Sequence, residues 1–113
     1  MEAGDIEGRQ CDGAVTLAFS ILGKRWNGMI LDVLGSGPAS YVALRRGVPG
    51  ISDAVLSDRL AELADAGLVV RDVDAGPPVA VTYALTPGGL ELVPVLSRLA
   101  DWARANLGHP AAV

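Results

Sequence analysis

The side chains of this 113-residue chain that could do chemistry are suited to binding rather than to catalysis. Arg45 and Arg46 are adjacent guanidiniums, and a planar guanidinium grips a phosphate through two parallel N–H donors. Ser40 stands a few residues before them and Ser52 a few residues after. The stretch ISDAVLSDRL (51–60) then places short side chains at helical intervals. Ser57 can bond several base edges, Asp58 can accept from the N4 amine of cytosine, and Ala54 can meet a thymine methyl. With Asp53 and Asp58 against Arg59 alone, the stretch brings little attraction of its own to a polyanion. Arg59 lies towards the flank of its helix, where a phosphate contact and an ion pair with Glu62 or Asp58 are both open to it. Lys24 and Arg25 form a second basic pair, expected to begin a helix where the dipole also favours an anion. Arg71 is the basic residue nearest the turn DAGPP, with Asp72 and Asp74 beside it. Cys11 stands at the mouth of a helix, whose dipole favours a thiolate while Asp12 opposes it. It is either a thiol open to oxidants and electrophiles or a small packed residue.

Other chemistries are excluded. One cysteine and one histidine, His109, cannot make an ordinary Cys/His zinc site or an intrachain disulfide. No phosphate-cradling glycine loop, GxSxG elbow or dinucleotide fingerprint occurs, and His109 is assigned to solvent. The chain is therefore expected to be no enzyme, with no metal and no cofactor. Gly47-Val48-Pro49-Gly50 has the GxxG form of an RNA-binding loop, but the surrounding element order is wrong for it and it is read as a turn.

Half of the residues are hydrophobic, enough for one compact core and too few for two, so a single domain over 1–113 is expected, with 1–10 and 108–113 as loose tails. No apolar run approaches the ~20 residues that span a bilayer, and MEAGDIEGRQ is acidic where a secretory signal is basic. These features predict a soluble cytoplasmic protein without a membrane partner. A net charge of −4 argues against indiscriminate binding to nucleic acid. The charge is unevenly distributed, however: residues 20–60 hold five basic against three acidic side chains, a net +2, and the flanks hold the remaining −6.

The elements that must position these groups follow from hydrophobic period and punctuation. Val15, Phe19 and Leu22 repeat at helical spacing after the N-cap Asp12, and Gly23 ends the run. Trp26, Ile30 and Val33 mark a second helix, stopped by Gly35-Ser36-Gly37-Pro38. Ser40 caps a short helix YVALRRG in which Val42 and Leu44 can pack. Ser52 caps the next, with Leu56, Leu60 and Leu63 buried and Ala54, Ser57, Asp58, Ala61 and Asp65 on the opposite face. LVVRDV and VAVTYAL form a hairpin, and Thr86 caps a long final helix that Pro94 should bend. The fold class predicted is α+β and mostly helical, a winged helix-turn-helix with a two-stranded wing hairpin and added N- and C-terminal helices. Val15, Phe19, Leu92, Leu96, Leu99 and Trp102 give those end helices more apolar surface than one small domain covers, which predicts a homodimer.

The chain also resembles the HxlR family of bacterial winged-helix regulators, relatives of the MarR group. The resemblance rests on Cys11, ILGKRW (21–26), ILDVL (30–34), VPGIS (48–52), LSDRLAELADAGLVVR (56–71), YALTPGG (83–89) and Trp102 in this order. It implies a homodimeric transcription factor on a two-fold site in double-stranded DNA, repression more than activation, and an N-terminal cysteine that senses oxidants or electrophiles in some members. A small-molecule effector at the dimer seam is a further expectation. Ser40-Tyr41 stands where the family usually has Arg-Phe, Ala54 where a basic residue is common and Ala80 where the wing often has Arg. The lost charges imply modest affinity and steep salt dependence. They leave open a competing reading, a winged-helix module for a small molecule or protein partner with little DNA binding.

Overall fold

The computed structural model describes residues 8–108. The loose tails expected at 1–10 and 108–113 fall largely outside that range, and His109 wholly so. The chain runs α1 (Gly13–Leu22), α2 (Asn27–Leu34), β1 (Ala39–Ser40), α3 (Tyr41–Gly47), α4 (Asp53–Asp65), β2 (Val69–Asp74), β3 (Ala80–Leu85) and α5 (Pro87–Leu107). This is the mostly helical winged helix-turn-helix order that the sequence predicts.

Four helices begin where a side chain satisfies an orphan backbone N–H. Asp12 accepts from the Ala14 amide, Ser40 from Ala43, Ser52 from Val55 and Thr86 from Gly89. Helix α2 differs. It starts at Asn27, not at Lys24, because Trp26 holds φ +83°, a left-handed backbone that no helix continues through. Lys24 and Arg25 consequently lie in the turn before the helix, and the expected anion site at its first turn is not formed by them. Helix α5 runs unbroken through Pro94.

The hairpin pairs Val69 with Leu85 through to Asp74 with Ala80, antiparallel throughout. A third strand, β1, joins the other edge of β3, with Ala39 opposite Tyr83 and Ser40 opposite Thr82, so the sheet order is β1-β3-β2. The sequence predicts two strands. At two residues β1 is too short to show any period, and only its pairing with β3 defines it.

The core is one cluster at the junction of α2, α3, α4 and β2. Ile30, Leu31, Leu34, Leu44, Val48, Leu56, Leu60 and Leu63 are almost wholly buried in it, with Ile51 and Val69 at its edge. The stripe expected on α4 is the buried one. Val42, expected to pack, is 45% exposed, because this seven-residue helix turns Leu44 and the ring of Tyr41 inward instead. The start of α5 docks so tightly against Leu68, just before β2, and Leu85 of β3 that a Cβ on Gly89 would collide with the Leu68 carbonyl oxygen. Gly67, at φ +79°, makes the turn that sends the chain from α4 into the hairpin.

Candidate nucleic-acid interface

Helix α4 is fixed from three sides, leaving one face free. Its leucine stripe enters the core, while Ala54, Ser57, Asp58, Ala61 and Asp65 are exposed together on the opposite side. Two polar networks set its position.

The first lies at the N-terminus. Tyr41, the first residue of α3, packs its half-buried ring on the core and donates its phenol proton to the Asp53 carbonyl oxygen at 2.9 Å. The Ser57 hydroxyl lies 3.2 Å from the same phenol oxygen. Arg45 Nη1 donates to Asp53 Oδ1 at 2.9 Å, a solvent-exposed ion pair, and Asp53 raises the Arg45 pKa through that hydrogen bond and its charge. Asp53, Ser57 and Arg45 thus meet in one cluster bridging α3 and α4.

The second network grips the middle of α4 and centres on Glu62. Lys24 Nζ donates to it at 2.6 Å, Asn27 Nδ2 at 2.8 Å and Arg59 Nη1 at 3.3 Å. Asn27 is 0% exposed, and its Nδ2 also reaches the Ile21 carbonyl at 3.0 Å, tying the end of α1 to α4. The hydrogen bond from Lys24, then that from Asn27, hold the Glu62 carboxyl below its ordinary pKa. Neither Asn27 nor the central role of Glu62 was legible in the sequence. The one available signal was an amide inside an otherwise apolar helical stripe, WNGMILDVL.

The basic side chains therefore divide. Lys24 is neutralised by Glu62, and Arg25 lies over the Trp26 ring, 4.5 Å from its centroid. Arg59 is only partly exposed and is paired with Glu62 and Asp58, the ion-pair contacts open to it. Arg46 and Arg71 have no ion pair among the described residues and face solvent. Arg71 and Tyr83 are partners across the hairpin, and with Ser57 they line a hollow of about 150 Å³ between α4 and the sheet. Ser40 and Ser52 accept backbone protons as caps, which leaves their hydroxyl protons for another acceptor. The exposed surface next to the short side chains of α4 is thus supplied with positive charge by Arg46 of α3 and Arg71 of β2.

Away from this face, α1 is exposed from Gly13 to Ser20 while Ile21 and Leu22 pack against the core, and Phe19 is 57% and Trp102 of α5 54% accessible. Val15 and Leu99 are exposed as well, whereas Leu92 and Leu96 are half-buried against the core of their own chain. Between α1 and α5 an apolar hollow of about 280 Å³ is lined by Ala18, Ile21, Leu22, Leu68, Gly88, Glu91 and Leu92. Cys11 carries a free, exposed thiol directly before α1, 3.4 Å from the Thr16 hydroxyl. No helix of the described residues is long and apolar enough to cross a membrane.

A half-exposed helix presented by a helix pair and flanked by a hairpin defines a winged helix-turn-helix protein. Residues 21–110 match the family described as HxlR-like helix-turn-helix, and the chain belongs to that family. It is 43% identical over 86 residues to the HTH-type transcriptional regulator YodB of Bacillus subtilis, covering 76% of this chain and 77% of YodB. The solved reduced form of YodB superposes with a TM-score of 0.76 at 39% identity over 87% of this chain and 95% of the other. YodB has also been solved bound to quinone (TM-score 0.73, 37% identity, 83% and 99% covered). The redox regulator HypR in its oxidised form gives a TM-score of 0.76 at 29% identity, with 82% and 96% covered. The relatives are transcriptional regulators, and the fold, family and regulator class expected from the sequence are those found.

Proposed function

We propose that this protein is a cytoplasmic, homodimeric transcriptional repressor that binds a two-fold operator in double-stranded DNA and is released by an oxidant, an electrophile or a small apolar effector. The observation that carries the reading is the juxtaposition of the free α4 face with solvent-facing Arg46 and Arg71, and with Arg45 within reach. Ala54, Ser57 and Asp58 meet base edges while the guanidiniums, Ser40 and Ser52 hold the backbone, a division of labour general to groove-reading helices. Lys24, Arg25 and Arg59 have structural roles instead, each with an intrachain partner.

The dimer reading rests on exposed apolar surface. Val15, Leu17 and Phe19 of α1 and Leu99, Trp102 and Leu107 of α5 are too exposed for a stable monomer surface and suit a self-complementary patch. The radius of gyration, 17.1 Å, exceeds the roughly 13 Å of a compact chain of this size, as expected of helices that project toward a partner. Cys11 at the head of α1 adjoins this patch, so oxidation, alkylation or a bridge to the second subunit there alters the seam and the half-site spacing. The hollow between α1 and α5 is the alternative effector site.

Fluorescence anisotropy of the reduced protein tests the proposal, on the duplex upstream of its own coding sequence and on a pool of random duplexes. Selective, salt-sensitive binding to either supports it. A folded dimer that distinguishes no duplex from any other overturns it and favours the second reading, a ligand-binding module built on the apolar hollow.

A further inference from the structure

The N-terminal cluster of α4 contains a hydrogen-bonding asymmetry that bears on what the helix selects. The phenol of Tyr41 has one proton. The Asp53 carbonyl oxygen, 2.9 Å away, can only accept, so that proton is directed to it. Asp53 Oδ1 is farther from the phenol, at 3.5 Å, and is already occupied by Arg45 at 2.9 Å. The contact between Tyr41 Oη and Ser57 Oγ, 3.2 Å long, then has a single consistent direction: the serine donates and the phenol accepts. Ser57 is exposed, and with its own proton turned inward it shows solvent only lone pairs.

We propose that Tyr41 is a positioning residue that makes Ser57 an acceptor-only reader, selecting a base with an exocyclic amino group, adenine or cytosine, over guanine or thymine at one position of each half-site. The inference rests on α4 being the groove-reading helix. An unconstrained serine rotates its hydroxyl to serve donors and acceptors alike and discriminates poorly. Held by Tyr41, the Ser57 oxygen matches the N6 amine of adenine or the N4 amine of cytosine and faces the O6 of guanine or the O4 of thymine without a proton to offer. The ring of Tyr41 is packed on the core, so the phenol oxygen that fixes this polarity is itself held in place. Two further features keep the cluster intact: Ser52 caps the same helix end, and Arg45 holds the Asp53 carboxylate away from the phenol proton.

The experiment uses the full-length dimer and a half-site enriched from a random duplex pool, with each base varied in turn. Wild type, Tyr41→Phe, Ser57→Ala and the double variant are compared by anisotropy, with circular dichroism as the check on folding. Wild type should favour adenine or cytosine at one strand position by about fivefold per half-site, or about 25-fold when both half-sites change, the scale of one neutral hydrogen bond. Tyr41→Phe keeps the packed ring and frees the serine proton, so that preference should collapse while discrimination at other positions persists. Ser57→Ala should erase the same preference, and adding Tyr41→Phe to it should do nothing more. A folded Tyr41→Phe dimer that keeps the wild-type preference overturns the assignment, as does a Ser57→Ala dimer that does. A wild-type protein that enriches no sequence removes the DNA reading itself, which is a different result from either.

Discussion

The division of Arg45 and Arg46 into a paired and an unpaired guanidinium gives them different salt signatures. Each phosphate neutralised on duplex DNA releases counterions and contributes about −0.9 to the slope of log affinity against log salt. A two-fold dimer presents Arg46 twice, and Arg46 has no ion pair among the described residues. Arg46→Ala should therefore flatten the slope by about 1.8, so that between roughly 50 and 200 mM salt the wild type loses about 12-fold more affinity than the variant. Arg45 is different because Asp53 holds it at 2.9 Å. Moving that guanidinium to a phosphate leaves a carboxylate to recruit cations of its own, so Arg45→Ala should flatten the slope by less than Arg46→Ala. Asp53→Asn should raise affinity and steepen the slope, and its main-chain carbonyl still receives the Tyr41 proton. Anisotropy titrations at three salt concentrations measure all four proteins. An unchanged slope in Arg46→Ala takes that residue off the backbone, and equal slopes in the two arginine variants refute the competition with Asp53.

The other predictions concern the sensor, the seam and the scaffold. Cys11→Ser should bind DNA as the wild type does and lose any release by peroxide or quinone; release that persists in an electrophoretic mobility assay assigns the signal to the hollow between α1 and α5. Trp102→Asp should convert the dimer to monomer in light scattering, since a large, half-exposed aromatic at a seam is the kind of residue whose loss costs about 2 kcal/mol or more. Glu62 has a depressed folded-state pKa, so the stability it contributes is full above the ordinary carboxylate range and is lost as pH falls through the folded value. The Tm of Glu62→Gln should accordingly be lower at neutral pH and fall less steeply in acid. Gly89→Ala should destabilise by about 1–3 kcal/mol in denaturant melts, because the obstacle to its Cβ is the backbone oxygen of Leu68 rather than a movable side chain.

What could be read from the sequence was what local chemistry determines. Asp12, Ser40, Ser52 and Thr86 announce their helices because an N-cap acts on amides two or three residues away, and each makes that contact. The Leu56, Leu60, Leu63 stripe implied the opposite face of α4 by geometry alone, and that face is the exposed one. The misplacements involve partners distant in sequence. Lys24 looks like an anion ligand until Glu62, 38 residues on, is found against it. Arg59 is a different case: its carboxylate partners Glu62 and Asp58 are near neighbours, and the sequence did not choose between them and a phosphate. Asn27 carried no mark of the two elements it joins. Asp53, in the stretch expected to face the groove, has its carboxylate directed to Arg45 and its carbonyl to Tyr41, contacts that only the fold reveals. The start of α2 was misread because nothing local forecasts a tryptophan with left-handed backbone angles.

Selection of sites from a random duplex pool by the reduced full-length protein tests the central claim most directly. If α4 of each subunit enters successive major grooves, the enriched sequences should converge on an inverted repeat whose half-site centres lie one helical turn, about 10 base pairs, or a multiple of it apart. A folded protein that enriches nothing, or a single half-site without its symmetric mate, contradicts a two-fold DNA-reading dimer.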